Sequence, residues 1–365
     1  MYRIAFVVFR LLGQCYSELG LYFASVMMPS IKALCELMSC NSLVSLGDLE
    51  KAIGKAVQGL GVEAVVASAP MQITGNIVQD ERNLWVLPLL RKFVKASRLV
   101  FFKDHFIPLA QKCTTVIQRL KNDRDADSRL IHTYGTIEYQ IWSLLPSFAD
   151  EAVDVEAAQA NKNFAKLICQ RITDFENTRI DTMKAIRNMV VADGTNTGKL
   201  AKNSINYLPV LFNIFTNPDG MDVSHKKAAF ETIRVYLSIV PETIKEHFMK
   251  IIVSTYQNAD SQQCKSALLN LARLFIPHIT SHQVSLLVST IEPLIKSAKD
   301  RRKQKAAYKI LQDILSCESA VTEEYINENL TFLSSLLLLS NSKAATSSRA
   351  PRLRCAKVRL VLRCG

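Results

Sequence analysis

Three stretches of the chain repeat one arrangement of apolar and polar positions. The first runs Asp222, Lys227, Ala228, Ala229, Phe230, Ile233; the second Asp260, Lys265, Ser266, Ala267, Leu268, Leu271; the third Asp300, Lys305, Ala306, Ala307, Tyr308, Leu311. The copies are 38 and 40 residues apart, matching the period of about 40 residues of a HEAT-type helix pair. Within each copy the apolar residues fall at helical spacing. They are Ala229, Phe230, Ile233, Tyr236 and Leu237, then Ala267, Leu268, Leu271, Leu274 and Phe275, then Ala307, Tyr308, Leu311, Ile314 and Leu315. Residues three or four apart share one side of a helix, so each copy predicts a helix with one apolar stripe. The Asp ahead of each stripe is placed to cap the helix start, where a side-chain oxygen accepts from free backbone N–H groups. The small Ala at its head lets a neighbouring helix come close.

Proline recurs within apolar runs, at positions 29, 88, 108, 146, 209, 277 and 293. An interior proline removes a hydrogen bond and bends the helix, whereas one at a helix start removes nothing. Apolar residues flank Pro88 and Pro209 on both sides, which predicts a kink at each; for Pro293 both readings stand equally. Residues 62–73 carry Val65, Val66 and Ile73, but Glu63, Ala64, Ala67 and Ala69 favour helix. Loops are expected over 74–82, 121–127, 192–199, 216–222 and 340–351. The fold expected is all-α, a HEAT/armadillo-like solenoid of stacked antiparallel helix pairs over residues 1–342, clearest over 222–315. Residues 343–365 then form a basic tail, or the start of another repeat.

Charge alters this picture only locally. The net charge is +12, yet residues 343–365 hold seven basic side chains and no acid, leaving +5 on the rest. A phosphate-binding surface spread over the whole body is therefore not expected. Nine cysteines are scattered without a Cys-x-x-Cys pair, the pattern of free, buried thiols in a reducing compartment. The apolar start, Ile4 to Phe9, is interrupted by Arg10 and reads as a buried helix rather than a signal peptide. No uninterrupted run of 18 apolar residues occurs, so no membrane partner is expected.

Chemical motifs are few. Gly194, Gly198 and Lys199 imitate a phosphate-binding loop, but three residues stand between the glycines where four are needed, and Leu200 replaces the hydroxyl residue. They read as an inter-helix loop. His278 and His282 have metal-like spacing with no Cys, Asp or Glu close by to complete a site. Cys35 and Cys40 read as core or surface thiols. No triad is recognisable, so neither catalytic, metal nor cofactor residues are assigned, and the chain is not expected to be an enzyme. The basic run Lys296, Lys299, Arg301, Arg302, Lys303, Lys305 and Lys309 is the main polar candidate. It suits RNA phosphate, an acidic protein or an import receptor, and equally a solvated helix face beginning at Asp300. Neither this run nor the tail interleaves aromatic residues of the kind that stack on bases.

An ordered series of segments carries a resemblance. It comprises Trp85–Arg91, Ser97–Phe102, Phe106–Ala110, Gln140–Phe148, Lys202-Asn203 with Tyr207–Asn213, Thr232–Leu237 and Gln304–Leu311. Over roughly residues 20–355 the chain resembles the ribosomal RNA-processing protein twelve family. The resemblance implies a nuclear and nucleolar HEAT-repeat factor. Such proteins accompany pre-ribosomal particles, support small-subunit rRNA processing and assist subunit export in a karyopherin-like manner. Members are considerably longer, so the chain reads as a middle portion or a truncated product. The partners implied are pre-ribosomal particle proteins, pre-rRNA and nuclear transport factors. Candidate contacts to RNA or an acidic partner are Lys299, Arg301, Arg302, Lys303, Arg352 and Arg354. A reading from another class, an importin-like nuclear transport receptor or adaptor, shares the solenoid and would bind a nucleotide-loaded GTPase without RNA.

Overall fold

The computed structural model describes residues 2–40, 46–123, 127–194, 198–217, 222–278, 281–296 and 301–317. All regular structure among them is helical. The chain forms two compact units, Met1–Val210 and Leu211–Gly365.

The first unit contains α1 (Tyr2–Leu19), α2 (Ala24–Ser39), α3 (Leu46–Leu60), α4 (Val62–Ser68), α5 (Val86–Phe93), α6 (Ile107–Asn122), α7 (Ser128–Trp142), α8 (Lys162–Asp174) and α9 (Glu176–Asp193). The unit boundary falls within α10 (Ser204–Thr216). Helix α1 packs on α3, α2 on α3 and α4, α3 on α5, α6 on α7, and α8 on α9. The α1–α3 seam depends on small residues. Gly13 lies over Ala52, and a Cβ on Gly59 would collide with the Tyr16 carbonyl, lying 2.7 Å from its carbon and 3.1 Å from Ser17 Cα. Tyr16 itself is fully buried and donates to Ser30 Oγ at 2.9 Å.

The expectation that the N-terminal apolar segment is a buried helix is half corrected. It is helical, but α1 meets α3 along one side only: Phe9 and Tyr16 are buried while Ile4, Val7, Val8 and Leu11 are exposed. The following run, Leu21–Ser39, is long and apolar enough to cross a membrane by length and composition. It carries Lys32 and Glu36 and buries Ile31, Leu34 and Cys35.

Aromatic packing fills the middle of this unit. A π-helical turn, Phe102–Phe106, runs directly into Pro108 of α6. Proline has no N–H for the carbonyl four residues back and its ring crowds that carbonyl, so a widened turn just ahead of it accommodates both demands. Phe102, Phe106 and Phe148 have centroids 5.4 to 5.9 Å apart, and Trp142 meets Phe102 edge-on at 6.1 Å. His105 stacks on Phe101 at 5.1 Å, and burial holds its pKa below the usual histidine value. Beside this cluster Arg171 pairs with Glu138 at 2.8 Å and lies over the rings of Trp142 and Phe175.

Polar contacts then tie neighbouring repeats together. Asp154 accepts from the N–H groups of Leu99 and Val100 at 2.6 and 3.2 Å, capping a helix start 54 residues earlier. Glu156 accepts from Lys199 at 2.6 and 2.9 Å and from Leu200 at 3.4 Å, capping a start 43 residues later. Other rungs recur at similar separations. Ser39 bonds Asn83, Lys92 bonds Glu50, Asn188 bonds the Pro146 carbonyl and Asn203 bonds Gln159, each 42 or 44 residues apart. Buried Asp80 accepts from Thr74 N–H and Oγ1, Gly75 N–H and Tyr134 Oη at 2.7 to 3.0 Å, so its carboxylate is enclosed by donors.

The second unit contains α11 (Val223–Tyr236), α12 (Glu242–Asn258), α13 (Gln262–Phe275), α14 (Ser281–Lys296) and α15 (Arg301–Leu315). Helix α12 packs on α13 and α14 on α15, while α13 also meets α15 and α12 meets α14. That alternation is what stacked helix pairs produce. The predicted stripes bury Ala229, Ile233, Tyr236 and Leu237, then Leu268, Leu271 and Phe275, then Ala307, Tyr308, Leu311 and Ile314. Arg273 and Asp313, 40 residues apart at equivalent repeat positions, pair at 2.6 Å.

Two local expectations need correction. Asp222 caps α11 through Ser224 N–H, but α13 is capped by Ser261, whose hydroxyl lies one residue closer than Asp260 and accepts from Cys264 N–H at 3.4 Å. Asp300 lies outside the described residues. Pro209, Pro29 and Pro293 sit inside helices, whereas Pro88 occupies the first turn of α5, where no intrahelical bond is lost, so the expected kink there is replaced by a helix start.

Replacing Gly59 with Ala should lower stability by about 1–3 kcal/mol, because backbone overlap outweighs the roughly 1 kcal/mol gained in helix propensity. Urea unfolding measures this, and an unchanged or raised midpoint would show that the seam opens without strain. Asp154→Ala should cost about 1–2 kcal/mol, with Asp154→Asn retaining most of the cap; equal losses in both would mean the hydrogen bonds are not what stabilises the Leu99 helix start.

Candidate nucleic-acid interface

The basic run begins α15. Arg301, Arg302 and Lys303 form its first turn, where Gln304 is buried and donates to the Ile295 carbonyl at 3.0 Å, holding that turn against the end of α14. Lys305 and Lys309, one turn apart, face solvent. Lys303 is half-buried beside its own helix pair. Only the backbone of Arg301 and Arg302 is described, and Lys299, Arg352 and Arg354 lie outside the described residues. Of the six candidate contacts, Lys303 is therefore the one that the structure places against a definite surface.

That surface is a groove of about 560 Å³. Lys303 of α15 and Lys226 of α11 stand on it, together with Gln262, Gln263, Ser266, Ala267 and Asn270 of α13. Phe215, Thr216 and Asn217, from the end of α10 onward, complete the lining. Gln263, Ser266 and Asn270 fall three and four residues apart, so one exposed side of α13 supplies them. Gln263 and Lys303 occupy the same register in successive repeats, 40 residues apart. Phe215 is half-buried and packs on Phe230 at 5.1 Å between centroids. Among the described residues that line the groove there is no carboxylate.

Other concave places are chemically different. A hollow of about 350 Å³ on the first unit is edged by Arg91, Lys92, Lys95 and Lys184, but Asp181, Glu50 and Glu151 pair with the first three at 3.6, 2.9 and 3.0 Å. Its field is largely neutralised. A hollow of about 580 Å³ beside α2 is lined by both signs, Lys32 and Arg82 with Glu36 and Asp80. Gly194 follows the end of α9 and Gly198 precedes a helix start at Lys199, and residues 195–197 lie outside the described residues. Gly194 ends α9 at φ 62°, and the backbone N–H of Lys199 is already taken by the Glu156 carboxylate. An incoming phosphate would have to displace that anion.

Among the described residues no group of three or more His, Cys, Asp and Glu side chains is arranged to hold a metal ion. The seven described cysteines are all free; Cys35 and Cys113 are buried, and burial pushes both thiols up to about 12. Cys15 and Cys40 are exposed and three are intermediate, which corrects the expectation of generally buried thiols. Sequence reasoning missed Phe215, Lys226, Gln263 and Asn270. Gln263 was recoverable by carrying Lys303 back one repeat, but nothing in a linear pattern joins Phe215 to a lysine 88 residues later.

Comparison with known proteins agrees with this architecture. The family model described as "Ribosomal RNA-processing protein 12, HEAT repeats" matches residues 3–218. The chain is similar to an RRP12-like protein of Homo sapiens, 28% identical over 358 residues, covering 95% of this chain and 27% of that protein. An RRP12-like protein of Gallus gallus is 27% identical over 359 residues with the same coverage. Ribosomal RNA-processing protein 12 of Saccharomyces cerevisiae is 23% identical over 345 residues, covering 85% of the chain and 27% of that protein. The chain thus spans about a quarter of the length of these relatives. Among solved structures, importin beta aligns over 92% of this chain and 41% of its own at 11% identity and a TM-score of 0.47. Kap121p aligns over 97% and 36% at 13% identity and a TM-score of 0.45. With a family match across residues 3–218, more than half of its length, the chain belongs to the ribosomal RNA-processing protein 12 family.

Proposed function

We propose that this chain is a non-enzymatic scaffold in small-subunit pre-rRNA processing and subunit maturation and export. It works in the nucleus and nucleolus, holding pre-ribosomal proteins and pre-rRNA. The solenoid runs to residue 342, with 343–365 as a basic extension. The observation that carries this reading is the family match over residues 3–218, whose name refers to ribosomal RNA processing. That Lys226 and Lys303 line one groove supports an RNA partner, since ammonium groups attract phosphate. Stacked helix pairs expose long surfaces that suit large partners better than small substrates. Lys299, Arg301, Arg302, Lys303, Arg352 and Arg354 are the residues proposed to contact RNA or an acidic partner.

Affinity capture with the tagged chain from nuclear extract, with and without ribonuclease and read by mass spectrometry, tests the proposal. Small-subunit precursors and their assembly factors should be recovered, with ribonuclease reducing the yield. Transport factors alone would replace the scaffold reading with the importin-like receptor or adaptor. Alanine at Lys299, Arg301, Arg302 and Lys303 together should flatten the dependence of log affinity for RNA on log salt by about three. An unchanged slope removes these four from the footprint.

A further inference from the structure

Ten large apolar side chains between residues 4 and 37 are 37 to 97 % exposed, a density found nowhere else among the described residues. We propose that they form the face on which a second copy of this chain docks, the α1–α2 pair of one lying on the α1–α2 pair of the other about a two-fold axis. The inference goes beyond the scaffold reading and does not rest on it.

The two helices each carry two apolar stripes. On α1, Phe9, Gly13 and Tyr16 are buried on the side that meets α3. On the opposite side Ile4, Val7, Val8 and Leu11 follow the spacing i, i+3, i+4, i+7 and are exposed. On α2, Ile31, Leu34 and Cys35 are buried, and Val26, Pro29, Ala33 and Leu37 line the other side in solvent. A surface helix needs one apolar stripe, whereas a helix apolar on two opposite sides belongs between two neighbours. Both helices pack on α3, so their unused stripes both face away from it.

Size and charge point to a second copy. At roughly 100 Å² apiece, ten such side chains present on the order of 1,000 Å² of apolar surface, above the roughly 300–600 Å² of the largest patch on a typical monomer. A stable pairing takes about 800 Å² from each partner. Stacked arrays seat helix pair on helix pair, and an identical pair supplies a face with the same stripe spacing. Lys32 and Glu36 stand exposed one turn apart beside the α2 stripe. Two antiparallel copies of α2 can set Lys32 of each against Glu36 of the other, so the face is complementary to itself in charge as well. A lipid surface suits it less. Arg3, Arg10 and Lys32 are nearly balanced by Glu18 and Glu36, which leaves little attraction to anionic lipids.

Sedimentation equilibrium of the full chain over a concentration series tests the proposal, with a dimer expected at micromolar concentration. Val8→Glu/Val26→Glu, which places a charge on each stripe, should raise the dissociation constant at least about tenfold. Lys32→Glu should weaken the dimer severalfold, and Lys32→Glu/Glu36→Lys should restore it, a rescue that a general loss of solubility or fold would not produce. Val191→Glu, at an exposed apolar position elsewhere, should leave the assembly unchanged. Thermal melting by circular dichroism establishes that each variant is folded. A monomer at every concentration overturns the proposal, and so does a dimer that survives the double glutamate change. Co-sedimentation of the monomer with phosphatidylcholine–phosphatidylserine vesicles, lost in that same variant, would assign the face to a lipid surface instead.

Discussion

Every helix begins with backbone N–H groups that have no partner inside it, and this chain contains many short helices. Where that demand is met locally, the cap is a neighbouring Asn, Asp or Ser, as at Asn76, Asp127, Asn161, Asp222 and Ser261. At two other starts a carboxylate arrives from elsewhere in the sequence. Asp154 reaches back to Leu99 and Val100, and Glu156 reaches forward to Lys199 and Leu200. Each such cap is worth about 1 kcal/mol, a modest sum that nonetheless fixes how far one helix pair is advanced relative to the next. The remaining rungs, Ser39 to Asn83, Lys92 to Glu50, Asn203 to Gln159, Arg273 to Asp313, keep the same separation of 40 to 44 residues. Apolar burial supplies the bulk of the cohesion; the polar rungs set the register.

The all-α repeat architecture was legible because α11, α13 and α15 carry apolar stripes at one period and in one order. The first unit was far less legible as repeats. Two of its helix starts are capped from elsewhere, so the local signature of a cap before a stripe is absent at Leu99 and Lys199. Its period survives mainly in pairs such as Asn188 with the Pro146 carbonyl, which no linear pattern announces. Pro88 misled because apolar flanks look alike on a helix interior and on a turn leading into a helix. The apolar start misled because burial depends on how many neighbours a helix has, and α1 uses only one side.

The basic candidates divide similarly. A run of lysines and arginines is visible in any sequence, but the field it produces depends on which acids fold beside it. Arg91, Lys92 and Lys95 gain carboxylate partners from elsewhere in the fold, and the hollow at Lys226 and Lys303 is lined by amides, hydroxyls and a phenyl ring. The buried Arg171 is the extreme case, its guanidinium enclosed by Glu138, Trp142 and Phe175, where it consolidates packing and is withdrawn from solvent. Net charge cannot distinguish these outcomes, because it counts groups without their surroundings.

The segment holding Asp154 and Glu156 has a dynamic consequence. The two carboxylates stand two residues apart and grip helix starts on opposite sides in sequence, and the same segment exchanges backbone bonds with Ala96 and Ser97. A stacked array usually opens one repeat at a time, since each repeat touches only its neighbours. Here a local opening that releases this short stretch strips the caps from two helices at once. Residues 96–100 and 199–200 therefore belong to one cooperative opening unit though a hundred residues separate them, and fraying that reaches this point is met by a barrier larger than a single helix pair would present.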